Sequence, residues 1–372
     1  MQAERGFPRE LLNQPVSARI TYFQSYTMPH PKLRVAAQKL KYSIHQPAGA
    51  SLIFVFGPSG VGKSTLLRKI AQDLTEVALP RMEIHKGYIP VADIEAIAPE
   101  FSNFDWKDFY VRALMALKEP MIEKKISRTD SKLKLRLALE SALKNRKPDA
   151  FFVDEAQNLG KVASGRKLRD QTDCIKSLAN ITQTQFVLCG TYELLVLRNL
   201  SGQLCRRSTD IHLPRYFAEF DNDRQAFQAV LSTFQSYLPL LEAPSLSENW
   251  DFCYERSIGC IGILKDWLSR TLSAVLEEDN NARTLTLKHL ERHAWSTSQC
   301  SIMLKEAKEG EKKLGDKRTT DDQLRADLGL DPSISLPDVA VSSEASNENS
   351  TRRVGEPLPR RRPVGEEECV NQ

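Results

Sequence analysis

The chain of 372 residues carries a formal net charge of +4 and is 41% hydrophobic. That length exceeds one ordinary domain and predicts two folded parts with tails, the apolar share is enough for a sizeable core, and so small a charge does not by itself argue for nucleic acid. No apolar run approaches the roughly 20 residues of a membrane span, and "MQAERGFPRELLNQ" lacks the apolar centre of a secretory signal; the chain reads as cytoplasmic, with no membrane contact. Seven cysteines (Cys174, Cys189, Cys205, Cys253, Cys260, Cys300, Cys369) are scattered without a CxxC pair, which fits reduced, mostly buried thiols better than a disulfide framework or zinc site.

Residues 1–28 are polar and read as an irregular N-terminal extension. "MPHPKLRVAAQKLKYSIH" then reads as a proline-bounded start followed by an amphipathic helix, and opens a core assigned to residues 29–216. Five strand candidates follow, at Leu52 to Phe56, Ile89 to Ile94, Ala150 to Val153, Phe186 to Cys189 and Asp210 to Leu213. They alternate with helical segments, which predicts a parallel sheet covered by helices. From Phe217 onward the pattern is helical without convincing strands, and residues 217–300 read as a small helical lid. Beyond about Lys305 the composition turns charged, serine-rich and nearly free of aromatics, so residues 301–372 read as a mostly disordered tail. Within it "RRVGEPLP" and "RRRPVGEE" share an Arg-rich pattern that suits either a docking peptide or a solubilising tail.

The stretch "FGPSGVGKSTLL" satisfies GxxxxGK[ST] between an apolar strand and a helix. Gly57, Pro58, Ser59, Gly60, Val61, Gly62, Lys63, Ser64 and Thr65 form the predicted nucleotide-binding run. Backbone N–H groups turn inward around phosphates and the helix N-terminus adds a favourable dipole. Lys63 is then the ligand of the β/γ-phosphates and Ser64 a ligand of Mg²⁺, with ATP as the nucleotide. "AFFVDEAQNL" supplies the second signature: Asp154 at the strand tip for the metal and Glu155 to activate the attacking water. Taken alone, such an acidic pair also serves as a plain helix cap. In "QFVLCGTYELL", Thr191 is placed to sense the γ-phosphate or to cap the helix that follows.

In "SGQLCRRSTDIHLPRY" two arginines precede a short strand. Arg207 first, and Arg206 second, are candidates for an arginine supplied in trans to a neighbouring subunit's γ-phosphate; a structural salt bridge is the alternative. "SIGCIGILKDWLSR" places Gly259 and Gly262 before a helix carrying Lys265, a candidate lid sensor or else a solvated lysine. From Lys124 to Lys147 nine basic residues face two acidic ones. Lys124, Lys125, Arg128, Lys132, Lys134 and Arg136 cluster in the first half, which suits sequence-independent contact with DNA phosphates or a solvated helix face.

Together these motifs resemble the AAA+ ATPases, and more closely the TnsC/TniB family of transposition regulators. The closer resemblance rests on Phe104 to Tyr110, "FDWKDFY", followed by an Arg and a Leu-rich helix, and on "GTYEL" and "LCRRSTDIHLPRY"; it spans Phe23 to His293. It implies an α/β AAA+ P-loop NTPase fold, a five-stranded parallel sheet flanked by helices and followed by a small helical lid. It also implies ATP binding and Mg-dependent hydrolysis, and assembly as a homo-oligomeric ring or helical filament on double-stranded DNA. The expected partners are transposase subunits and a target-selector protein. One departure is a lid lysine where many AAA+ proteins place a sensor arginine. Two alternatives remain open: a replication-initiator-like ATPase, for which residues 296–372 are too polar to supply a winged helix, and a signalling or secretion ATPase acting on proteins without DNA.

Overall fold

A computed structural model of the protein describes residues 6–100, 103–120, 131–161, 165–200, 202–314, 324–328 and 330. The chain forms two compact units, residues 1–315 and 316–372. In the second, the described residues include one helical turn in which the Leu328 amide donates to the Leu324 carbonyl at 3.0 Å.

The first unit is built on five parallel strands: β1 (Leu52–Phe56), β2 (Val91–Glu95), β3 (Ala150–Asp154), β4 (Gln185–Gly190) and β5 (Ser208–His212), in the order β2-β3-β4-β1-β5. Apart from Asp154 at the end of β3 and Gln185 at the start of β4, the central strands carry no polar side chain, as fits a sheet covered on both faces. Leu52, Phe54 and Phe56 of β1 join Phe151, Val153, Phe186 and Leu188 in one core, whereas Ile53 and Val55 join Phe152, Val187 and Cys189 in the other. The edge strand β2 buries only Ala92 and Ile94 and leaves Asp93 and Glu95 exposed. It starts at Val91 rather than the expected Ile89 because Pro90 cannot donate to the ladder. Phe56 pairs in register with Gly190 and His212, and Asp154 with Glu95, so the chemistry-bearing strand ends lie along one edge.

The helices of the sheet layers are α2 (Pro31–His45), α3 (Lys63–Ile84), α4 (Trp106–Ala116), α5 (Lys132–Arg146) and α6 (Gly165–Thr182), with the short helices α7 (Leu194–Arg198) and α8 (Gly202–Arg206) before β5. The "FDWKDFY" block starts α4, capped by Asp105, whose carboxylate accepts from the Lys107 amide at 2.8 Å. Its Trp106 and Phe109 pack edge to face at 5.1 Å. A third core belongs to α9 (Asp221–Tyr237), α10 (Trp250–Ser257), α11 (Ile261–Glu278) and α12 (Leu287–His293), around the fully buried Trp267, whose indole donates to the Leu290 carbonyl at 3.1 Å.

Two expectations are corrected here. Residues 1–28 are not irregular throughout: a 3-10 turn (Arg9–Asn13) and helix α1 (Val16–Ser25) pack on the lid, with Phe23 against Phe234 at 6.1 Å and the Arg19 guanidinium donating to the Pro239 carbonyl at 2.7 and 3.0 Å. Nor does the tail begin at residue 301, since helix α13 (Thr297–Lys313) starts from a Ser296–Gln299 capping box. It buries Cys300, Ala307 and Gly310, and Glu311 pairs with the buried Arg215 at 2.9 Å. The remainder of the expected tail, apart from residues 314, 324–328 and 330, lies outside the described residues. Among the described residues, no helix is long and apolar enough to cross a membrane, and Cys174, Cys189, Cys205, Cys253, Cys260 and Cys300 are all free.

Candidate nucleotide site

The loop from Gly57 to Gly62 leaves the carboxyl end of β1 and delivers Gly62 as the N-cap of α3, at φ +106°. Only glycine adopts that angle without strain, and it turns the first helical amide towards the loop's hollow. Helix α11 enters the same place: a Cβ on Gly262 would stand 2.4 Å from the Gly60 carbonyl oxygen, and the Ile263 amide donates to that oxygen at 3.2 Å. Lid and loop therefore touch backbone to backbone.

Lys63 is 8% exposed, and its ammonium donates to the carbonyls of Gly57 (3.1 Å) and Pro58 (2.9 Å). Burial lowers its pKa, opposed mainly by Cys189, Glu155 and Asp154. The Ser64 hydroxyl is exposed and lines, with Asp154 and the two β2 carboxylates Asp93 and Glu95, a cavity of about 310 Å³. The oxygens of Ser64, Asp154, Asp93 and Glu95 suit a hard cation, and Arg68 and apolar side chains such as Leu67 and Phe152 complete the lining. Among the described residues no His/Cys/Asp/Glu group is dense enough to cage a metal unaided, so Ser64 and Asp154 fit Mg²⁺ as a partial ligand set completed by phosphate and water.

Asp154 ends β3 and its Oδ1 accepts from the Glu155 amide at 2.9 Å. Glu155 sits in the left-handed region at φ +50°. Its Oε2 accepts a 2.5 Å hydrogen bond from the side-chain amide of Gln157, whose Oε1 in turn accepts from the Thr191 amide at 3.2 Å. The Thr191 hydroxyl accepts from the Glu193 amide at 3.4 Å, a loose turn-closing bond. Gln157 was missed by sequence reasoning. Its signal was an uncharged polar residue two places after Glu155, in a segment whose residues Ala156 to Leu159 are buried.

Two further clefts flank the loop. One of about 290 Å³ is lined by Pro58, Ser59, Gln157 and Thr191 and roofed by Met303, Glu306 and Gly310 of α13. The other, about 220 Å³, lies between Val61, Gly62 and Thr65 of the loop, His30 and Met28 before α2, and Lys265 of the lid. Lys265 borders this second cleft instead of the Thr191 side. Its ammonium donates to the Phe23 carbonyl and stands 3.7 Å from that ring's centroid, and burial pulls its pKa down to about 8.

Arg206 and Arg207 stand at the opposite end of the sheet. The Arg207 carbonyl accepts from the amides of Ser51 and Leu52, and Ser208 pairs with Leu52. The five-residue strand β5 (Ser208–His212) thus separates both arginines from their own loop by roughly 16 Å at 3.3 Å per residue. Both guanidinium groups are exposed and have no ion-pair or hydrogen-bond partner among the described residues. Of the basic run, Lys124, Lys125 and Arg128 lie outside the described residues, and Lys132 and Lys134 are exposed at the start of α5. Arg136 departs from the expectation of a phosphate-facing cation: it bonds Glu140 at 3.0 Å and Ser177 at 2.9 Å within the protein.

The architecture is that of the AAA+ P-loop NTPases, a five-stranded parallel sheet with flanking helices and a helical C-terminal region. Residues 45–197 match the AAA domain family, which is of the ATPase type. In overall structure the chain is similar to the Aeropyrum pernix ORC1 protein in complex with DNA, at 15% identity and a TM-score of 0.51, over 77% of this chain and 68% of that one. Also similar are the ADP form of the Aeropyrum pernix ORC2 protein (14% identity, TM-score 0.49, 73% and 71% covered) and domain III of the Thermotoga maritima replication initiation protein DnaA (15%, 0.40, 77% and 95%). At these identities the likeness is one of fold. No curated protein sequence matches the chain.

Proposed function

We propose that the protein is an ATP-hydrolysing regulator of DNA transposition that assembles on duplex DNA and engages a transposase and a target-selector protein. The observation that carries the ATPase part is the convergence of Lys63, Ser64, Asp154, Glu155 and Thr191 on one edge of the sheet. Lys63 neutralises phosphate charge, Glu155 orients and deprotonates the attacking water, and Thr191 reads the γ-phosphate. Ser64 and Asp154 would hold Mg²⁺, which would supply charge neutralisation at the nucleotide's phosphates. The transposition part is supported by the resemblance carried on Phe104 to Tyr110, and the DNA part by the exposed Lys132 and Lys134.

A second reading, an initiator-like ATPase on DNA, is favoured by the fold likeness to ORC1. The two part at strand transfer: a transposition regulator stimulates a transposase on target DNA in an ATP-dependent way, and an initiator does not. DNA contact itself is tested by salt titration of ATP-dependent binding on two unrelated duplexes. Charge reversal at Lys132 and Lys134 is expected to weaken both complexes alike, to lower the salt slope by roughly 2, and to leave nucleotide affinity intact. An unchanged slope would move the DNA surface off α5.

A further inference from the structure

We infer that Gln157 is a positioning residue that ties the water-activating carboxylate of Glu155 to the γ-phosphate-facing segment at Thr191. This rests on the ATPase reading above and gives a role in that site to a residue to which the motifs assigned none.

Gln157 is 8% exposed, and both ends of its amide are engaged: Nε2 donates to Glu155 Oε2 at 2.5 Å, and Oε1 accepts from the Thr191 amide at 3.2 Å. The amide head presents a donor and an acceptor at fixed separation on one plane, as this bridge needs. A carboxylate at 157 would keep the bond to Thr191 and repel Glu155, while a thioether would fill the space and make neither bond. Room for the bridge is made by Gly190, where a Cβ would stand 2.2 Å from Gln157 Oε1. The same side chain borders the cleft that opens onto Pro58, Ser59 and Thr191. A ligand pressing on Thr191 is therefore two hydrogen bonds, through one side chain, from the Glu155 carboxylate, and Glu155 itself stands in the left-handed region at φ +50°.

The test uses the full chain and two variants, Gln157→Met and Gln157→Glu. It measures affinity for a fluorescent ATP analogue, and kcat and KM for ATP. Expected are affinity and KM within about threefold of the parent, and kcat lower by roughly tenfold to a hundredfold, the scale of a catalytic group displaced by about an ångström. Adding Gln157→Met to Glu155→Gln should cost no further turnover. Retained affinity with kcat within about twofold of the parent in both variants overturns the inference, as does an additive loss on the Glu155→Gln background. A parent that binds ATP without turning it over would overturn the ATPase reading and this inference with it; turnover in the parent with unaffected variants sinks this inference alone.

Discussion

Two residues proposed to act on the same nucleotide are expected to fail in opposite ways. In that proposal Lys63 acts on the bound ground state, with phosphate oxygens taking the place of the Gly57 and Pro58 carbonyls on which its ammonium rests. Lys63→Ala should therefore lose ATP binding and ATP-dependent assembly together, whereas Glu155→Gln should hold ATP and accumulate the assembled state. Parent-rate hydrolysis by Glu155→Gln would remove Glu155 from its role. A second residue-scale expectation concerns acid. Burial, with Lys32 nearby, holds the imidazoles of His30 and His212 neutral, at about 4 against an ordinary 6.5. His30 lies 3.0 Å from the Tyr216 hydroxyl and His212 2.8 Å from that of Tyr192. Between pH 6.5 and 4 the unfolded chain binds protons that the folded one does not, so stability falls as pH drops through that window. Each ring contributes at most about 1.4 kcal/mol per pH unit. Urea midpoints measured from pH 7 to 4 should decline less steeply in His30→Gln than in the parent; parallel curves would place the acid sensitivity elsewhere.

Among the elements, legibility in the sequence followed the size of the buried side chains. The strands could be read because β1, β3 and β4 bury Phe, Leu, Ile and Val on both faces. Helix α13 could not be read because what it buries is small: Cys300, Ala307 and Gly310, with Gly310 against the Tyr192 ring, while the exposed Lys305, Glu306, Lys308 and Glu309 set the composition. Helix α1 was hidden for another reason: it buries only Phe23 and Arg19, and the Arg19 guanidinium meets the Pro239 carbonyl, a contact that composition does not announce. At the site, the glycine loop and the Asp-Glu pair were legible because phosphate chemistry dictates their spacing. Gln157 was not, because its role depends on β3 and β4 being neighbours. The anchoring of α13 is open to measurement. Arg215 is 7% exposed at its side chain and makes a 2.9 Å bond to Glu311. Glu311→Ala leaves a buried guanidinium without its carboxylate and should lower unfolding free energy by about 3 kcal/mol, while Arg215→Leu combined with Glu311→Leu should cost much less. Equal losses in both would show that packing, and not charge, seats the helix.

For the whole molecule, the sheet fixes a direction. The nucleotide loop opens at the carboxyl ends of the strands, and Arg206 and Arg207 stand at the amino end of β5 with exposed guanidinium groups. With the proposed trans role, Arg207→Ala should bind ATP and lose hydrolysis by roughly a thousandfold. Mixing it with Lys63→Ala should restore part of the rate, because each variant supplies what the other lacks; co-assembly without any recovery would count against the role. Such a molecule has one giving end and one receiving end, so its contact is head to tail and closes on itself only if the rotation allows. Left open, a row of subunits always contains one member whose nucleotide receives no arginine. A pair then runs with half its sites complete, and longer rows approach full occupancy of the catalytic arrangement without any change in the subunit itself. Turnover per subunit should consequently climb with protein concentration towards a plateau. A rate per subunit that stays flat from the lowest measurable concentration would mean that each chain completes its own site.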